Sequence, residues 1–161
     1  MSEIDNSKRD TPVKAVRKNR HKSREQVLES VYSSLLHQGA PIELQEIQRE
    51  QAEDPGFEGA DEEYMQRLLK GVSEHITELD RRLERFLDRK ISELSPIEHA
   101  VLCIAAYELI YDPAIPYRVA INEGVELAKT YGGTDGHKYV NGVLDKLAAE
   151  ARPAEFRRPH R

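Results

Sequence analysis

The sequence contains a single cysteine, Cys103, and no tryptophan among its 161 residues. One cysteine excludes a disulfide within the chain and any metal cluster built from several cysteines. No apolar run approaches the roughly 20 residues that a membrane-spanning helix needs. The N-terminus lacks the apolar core of a signal peptide. We therefore expect a cytoplasmic protein.

Residues typical of β-strands are also scarce. Runs of β-branched residues are few, whereas Leu, Ala, Glu and Arg, which favour helix, are plentiful. Hydrophobic residues make up 39% of the chain and charged residues 33%, as in a protein with one buried core and a charged surface. A chain of this length suffices for one domain. We predict an all-α fold of six or seven helices.

The net negative charge conceals a basic segment near the N-terminus. Residues 8–24 contain eight Lys or Arg and one acid, so this segment carries +7 and the rest of the chain -12 of the net -5. Positive charge in the first turns of a helix opposes the helix dipole, so helix stability does not explain it. A polyanionic partner does. The candidates for phosphate contacts are Arg17, Lys18, Arg20, Lys22 and Arg24.

Periodic apolar residues predict where the first elements lie. We expect residues 1–15 to be a disordered basic arm and a first helix to begin within 16–19 and to end before Gly39. A short helix is predicted over 42–51, followed by an acidic loop over 50–63.

Two capping signals mark later helices. Asp61 precedes an amphipathic pattern that continues to about Ile91, a length that allows a break near Leu79. Ser95 and Pro96 suit the cap and the first residue of another helix. That helix is apolar on nearly all sides, so we predict that it is the central, most buried one.

A glycine-rich break separates the last two predicted helices. Gly132 and Gly133 are expected to take the left-handed conformation that ends a helix, and Thr134 or Asp135 to cap the next one.

Residues around this break could contact a nucleic acid. Lys138 adds positive charge to a helix N-terminus, which suits an anion. Tyr131 and Tyr139 could each stack on an exposed base or could instead pack against the protein, and the sequence leaves both possibilities open. Asp135 would repel phosphate but could accept a hydrogen bond from a base amino group.

No constellation typical of an enzyme is present. The glycine-rich break lacks the spacing of a P-loop, and no strand precedes it. His75, His99 and His137 have no partners at metal-ligand spacing, and Cys103 lies in an apolar run, where a thiol is usually buried and inert. We therefore expect no catalysis, no metal and no cofactor.

Several sequence blocks are specific enough to indicate a family. They are SPIEHAVL at 95–102, AAYEL at 105–109, IPYRVAINE at 115–123, ELAK at 126–129 and HKYVNGVLDK at 137–146. Together with the basic helix of residues 20–32, they resemble the NusB family of bacterial transcription antitermination factors over roughly residues 17–147.

This resemblance implies a fold of two small helical bundles, with residues 16–150 as the RNA-binding domain and 151–161 as a flexible basic tail. It implies binding to the boxA RNA of ribosomal RNA transcripts together with the ribosomal protein NusE. Other Nus factors and RNA polymerase would act indirectly through this complex, which suppresses premature termination.

The resemblance also implies site residues. RNA contacts are implied for Arg17, Lys18, Arg20, His21, Lys22, Arg24, Tyr32, Tyr131, Asp135, His137, Lys138 and Tyr139. Contacts to the protein partner are implied along residues 96–131, for Glu98, Val101, Tyr107, Arg118, Asn122 and Glu123. Cys103 stands where the family usually has arginine, so a polar contact on the partner face could be lost, and Tyr139 stands where it usually has phenylalanine.

Two alternatives accompany this interpretation. A similar domain precedes the catalytic domain of some ribosomal RNA cytosine methyltransferases, but the sequence ends at residue 161 without one, so we do not expect methyl transfer. The other alternative is a helical RNA-binding accessory domain or a dimeric assembly protein in ribosomal RNA processing, without catalysis. A homodimer is possible, since the family contains monomers and dimers.

Overall fold

The computed structural model describes residues 19–37 and 59–157. These ranges contain α1 (Arg20–Leu36), α2 (Glu62–Glu84), α3 (Pro96–Tyr111), α4 (Tyr117–Tyr131), α5 (Gly136–Ala151) and α6 (Pro153–Phe156), with a 3-10 turn, Ile91–Glu93, before α3. Within them no strand forms beyond an isolated bridge between Asn19 and Ala60, and the all-α prediction is confirmed. The predicted arm, the short helix over 42–51 and most of the acidic loop lie outside the described residues.

Capping side chains explain where the first three helices begin. Asn19, Asp61 and Ser95 each accept a hydrogen bond from the backbone N–H three residues later, at 3.1, 3.0 and 3.1 Å. The predicted caps of α2 and α3 are thereby confirmed. α2 runs through Leu79 without a break and ends at Glu84, earlier than the apolar pattern predicts.

The glycine-rich break differs from its prediction. Gly132 has φ -95° and ψ -173°, and among the described glycines only Gly59 has a positive φ, 88°. A Cβ at Gly132 would lie 2.7 Å from the carbonyl oxygen of Ala128, which accepts the Gly132 N–H at 2.8 Å. Close backbone approach, not a left-handed conformation, therefore requires glycine here. Asp135 occupies the cap position of α5 without a capping side-chain bond.

The other long helices pack around α3. All residues of 100–106 are buried. α1, α2 and α3 contact one another, as do α3, α4 and α5, so the two three-helix groups share α3. One continuous apolar core joins them, which confirms the predicted buried central helix. No described helix is both long and apolar enough to cross a membrane.

Residues 151–157 have a defined conformation, where the sequence suggested a flexible tail beginning at residue 151. Arg152 pairs with Glu155 at 2.7 Å. Its guanidinium also donates, at 2.8–3.0 Å, to the backbone carbonyls of Glu108, Leu109, Asp112 and Ile115. These bonds fasten the segment to the end of α3, and residues 158–161 lie outside the described part.

Candidate nucleic-acid interface

The cations at the start of α1 have different environments. Arg20 is exposed, with its guanidinium 3.5 Å from the Asp61 carboxylate and 4.4 Å from the centre of the Tyr64 ring. Lys22 is partly exposed on the same turn. Both can present positive charge to a phosphate. Two other predicted contacts, Arg17 and Lys18, precede the described residues.

Arg24 is buried, with only 4% of its side chain exposed. Its Nε donates to Glu108 at 2.9 Å, another guanidinium nitrogen donates to the Tyr64 hydroxyl at 3.3 Å, and a third lies 3.5 Å from Glu123. The prediction that Arg24 contacts RNA is wrong, because its charge is enclosed and faces two carboxylates.

Glu108 is the interior partner of Arg24. Its Oε2 accepts hydrogen bonds from Arg24 and from the Tyr64 hydroxyl, whereas Oε1 has no hydrogen-bond partner among the described residues. Burial raises the pKa of Glu108 to about 7, and the charge of Arg24 opposes that rise. The pair holds α1 against the C-terminal part of α3.

His21 lies between two carboxylates. Its Nδ1 is 2.7 Å from Glu123 Oε1, and its Nε2 is 3.6 Å from Glu25. Glu123 thereby connects His21 with Arg24. A predicted RNA residue, His21, and a predicted partner residue, Glu123, are thus bonded to each other, which suits a role in positioning α1 on α4.

A groove of about 510 Å³ lies between α1, the start of α3 and the end of α4. Its lining combines apolar side chains, acids, a lysine and two tyrosines: Lys22, Glu25, Gln26, Leu28, Glu29, Tyr32, Ile97 and Tyr131. Tyr131 is 45% exposed, and its hydroxyl donates to Glu25 at 2.9 Å. Partial burial and this hydrogen bond raise its pKa. A tyrosine ring can stack on the flat face of a nucleic-acid base, and a neighbouring carboxylate can accept a hydrogen bond from the amino group of that base.

A second aromatic position lies at the start of α5. The Tyr139 hydroxyl donates to Asp88 Oδ1 at 2.9 Å and accepts the Asp88 backbone N–H at 3.3 Å. The Arg89 guanidinium lies 4.2 Å from the centre of the Tyr139 ring. Hydrogen bonds from Arg89 and Tyr139 lower the pKa of Asp88. Arg89 was not predicted as a site residue, because only the packing of the segment after α2 against α5 brings it to Tyr139. His137 nearby is partly exposed.

The N-terminus of α5 lies next to a carboxylate of the protein itself, that of Glu98. A Cβ at Gly136 would lie 2.7 Å from Glu98 Oε2, so this carboxylate rests against the first residue of α5. It occupies the positive end of the helix, where the sequence suggested a phosphate site. Lys138 and Asp135 are exposed and 3.6 Å apart. Since Ile97 lines the groove, its neighbour Glu98 links the groove with α5.

The predicted partner contacts differ in accessibility. Val101 is fully buried, so its predicted contact with a partner is wrong. Tyr107 is half-buried against α2, where a Cβ at Gly71 would collide with its ring. Arg118 and Asn122 are exposed on α4 and stay predictions.

Cys103 lies in the core with no exposed surface, which confirms its predicted burial. The expectation that its replacement of arginine removes a polar contact on the partner face stays a prediction. Burial, reinforced by the Asp80 carboxylate, raises the pKa of the Cys103 thiol well above its usual value. The thiol is therefore protonated at neutral pH.

The fold and this surface define a small all-α binding protein. Its described residues bring a lysine, two tyrosine rings and two carboxylates to one groove between helices. Its relatives show the family to which it belongs.

The NusB family model matches residues 21–149. The transcription antitermination protein NusB of Methylobacillus flagellatus is 64% identical over 150 residues, covering 93% of this chain and 96% of that protein. The NusB protein of Nitrosomonas eutropha is 46% identical, covering 89% of this chain and 84% of that protein. This chain belongs to the NusB family, as the resemblance implied, and the family is one of non-catalytic antitermination factors.

Solved structures of NusB proteins have a fold similar to that of this chain. Thermotoga maritima NusB is 29% identical with a TM-score of 0.75, covering 86% of this chain and 97% of that chain. A crystal structure of NusB and NusE in complex with double-stranded RNA contains a chain that is 26% identical with a TM-score of 0.68, covering 81% of this chain and 96% of that one.

Proposed function

We propose that this protein is a cytoplasmic antitermination factor that binds the boxA RNA of ribosomal RNA operon transcripts together with the ribosomal protein NusE. Through other Nus factors and RNA polymerase, this complex would suppress premature termination. The observation that carries the proposal is the groove in which Lys22, Tyr32 and Tyr131 converge. The complex of a related NusB with NusE and RNA supports both partners.

The RNA path would run from the start of α1 to the start of α5. Arg20 and Lys22 would contact phosphates, and the two groove tyrosines would stack on bases whose amino groups donate to Glu25. Further along, base and phosphate contacts would come from Asp135, His137, Lys138, Tyr139 and, in addition, Arg89. Arg17 and Lys18, ahead of the described residues, would extend the phosphate contacts.

The NusE-type partner would dock on exposed parts of α3 and α4. Tyr107, Arg118 and Asn122 present side chains there, while Glu98 and Glu123 stand at the margin of the groove. An assembly role as a homodimer is less well supported, because the large exposed apolar side chains of the described residues are distributed over three helices. They are Leu36, Tyr111, Val119 and Tyr131.

The decisive experiment measures binding of boxA-like and scrambled RNA with and without the NusE-type partner. We expect tighter binding of the boxA-like RNA, enhanced by the partner. The double variant Arg20→Ala/Lys22→Ala should bind more weakly, and its log affinity should depend less steeply on log salt, by about 0.7 for each lost contact to a single strand.

Lys70→Ala, which removes an exposed lysine of α2, is the matched control and should keep both affinity and salt slope. Equal binding of the two RNAs in the presence of the partner would overturn the boxA assignment. An unchanged salt slope in the double variant would overturn the phosphate contacts.

A further inference from the structure

Asp80 of α2 meets His99 and Cys103 of α3 where the two helices pack together. His99 and Cys103 are four residues apart and therefore lie on one face of α3. A single oxygen, Asp80 Oδ1, lies 2.7 Å from His99 Nε2 and 3.4 Å from Cys103 Sγ. One nitrogen, one oxygen and one sulfur thus lie within 4.8 Å of one another.

We propose that Asp80, His99 and Cys103 form a binding site for a divalent transition-metal ion, of which Zn²⁺ suits the donor set best. Imidazole nitrogen, carboxylate oxygen and thiolate sulfur are the three zinc ligands that proteins use. With a carboxylate and a thiolate as ligands, the double charge of the ion is neutralised, which lowers the cost of placing it between two helices.

Two ligand-atom distances can be compared with those of a tetrahedral site. Bond lengths of about 2.0–2.3 Å place neighbouring ligand atoms roughly 3.3–3.6 Å apart. The 3.4 Å between Asp80 Oδ1 and Cys103 Sγ already fits. The 2.7 Å between Asp80 Oδ1 and His99 Nε2 must lengthen by about 0.6 Å to reach that range.

The site has an inner and an outer side. Cys103 is fully enclosed, whereas the side chains of His99 and Asp80 remain 12% and 29% exposed. An ion can enter from the exposed side, where water completes its coordination. On binding, the Cys103 thiol loses its proton to solvent as the sulfur–metal bond forms.

Spacing along the sequence did not reveal this cluster. Two ligands four residues apart on one helix are a weak signal by themselves. The third, Asp80, lies on another helix and is brought near by packing alone. A bound ion would join α2 to the first turns of α3, next to Ile97 and Glu98 of the proposed RNA surface.

The test is a titration of the metal-free full-length protein with Co²⁺ as a spectroscopic probe for Zn²⁺. We expect a thiolate-to-cobalt charge-transfer band, with the visible bands of a tetrahedral centre, that saturates at a single equivalent and is abolished by added Zn²⁺. Cys103→Ser should lack the charge-transfer band. His99→Gln and Asp80→Asn should weaken Co²⁺ binding at least about tenfold, the lower end of the loss seen for residues that merely support ligands.

His75→Gln, which removes a histidine of α2 outside the cluster, is the matched control and should bind Co²⁺ like the wild type. Because Cys103 lies in the core, the wild type also provides a test without substitution: Zn²⁺ should raise its Tm, and a chelator should reverse the rise. A wild-type protein without the charge-transfer band in excess Co²⁺, an unchanged Tm in Zn²⁺, or a His99→Gln variant with wild-type affinity would each overturn the proposal.

Discussion

The three cations at the start of α1 serve two different purposes. Arg20 and Lys22 reach the surface, while Arg24 turns inward and bonds Glu108 and Tyr64. A planar guanidinium can donate to several acceptors at once, which a lysine ammonium at the same place cannot do in the same geometry. Arg24 therefore holds the helix that presents the exposed cations Arg20 and Lys22.

Replacing Arg24 should destabilise the protein. Arg24→Ala leaves Glu108 as an unpaired buried acid, and loss of one partner from a buried ion pair costs about 3–5 kcal/mol. Lys22→Ala, at a more exposed position of the same helix, should change the free energy of unfolding by no more than about 0.5 kcal/mol. Urea-induced unfolding of both variants measures the difference. Equal stability of the two variants would show that the Arg24 pair has no structural role.

At the level of elements, the end of α3 depends on a residue from beyond α5. The last carbonyls of a helix lack partners within it, and here Arg152 bonds those of Glu108 and Leu109, then two more in the connection to α4. One side chain thus closes α3 and positions the start of α4. The segment after α5 is therefore part of the fold.

Removing this contact should loosen the end of α3. Arg152→Ala is expected to lower the free energy of unfolding by at least about 2 kcal/mol, since hydrogen bonds from a charged donor contribute about 1.5–3 kcal/mol each. Arg157→Ala is the matched control, because exposed Arg157 bonds only a carbonyl of its own turn, that of Pro153, among the described residues. Chemical denaturation followed by circular dichroism compares them, and similar losses in both would contradict the assigned role of Arg152.

At the level of the whole molecule, α3 belongs to both helix groups, and Glu108 lies in the core between them. Its pKa of about 7 in the folded protein, against an ordinary value of 4.5, means that the folded state holds a proton that the unfolded state has lost between these pH values. Stability from this group is therefore fully present below pH 4.5 and is lost as pH rises through 7.

Glu108→Gln should remove this pH dependence. The amide is neutral throughout, so the variant should gain stability relative to the wild type as pH rises from about 5 to about 8, by on the order of 3 kcal/mol. Arg24, Glu123, Asp112 and Tyr64 face Glu108 in both proteins, so the difference between the two curves isolates this carboxyl group. Urea-induced unfolding of both proteins across that pH range measures the difference in their free energies of unfolding. If this difference does not change with pH, Glu108 does not titrate in that range.

Local features of the chain were predictable because their causes lie within a few residues. Asp61 and Ser95 cap the helices that they precede, and the apolar run after Pro96 becomes the central helix. The family blocks further identified the class of protein. The left-handed conformation of Gly132 and Gly133 was predicted wrongly. The sequence does not distinguish a glycine required by close approach to another backbone atom, such as the carbonyl oxygen of Ala128, from a glycine required by a positive φ.

The sequence by itself determined the all-α class, the capped starts of α2 and α3, the buried identity of α3, the basic start of α1 and the family. Only the tertiary structure decided that Arg24 faces inward while Lys22 faces the groove, and that Asp80 reaches His99 and Cys103. Burial and pKa depend on which atoms another helix brings within a few ångströms, and spacing along one helix does not contain that information.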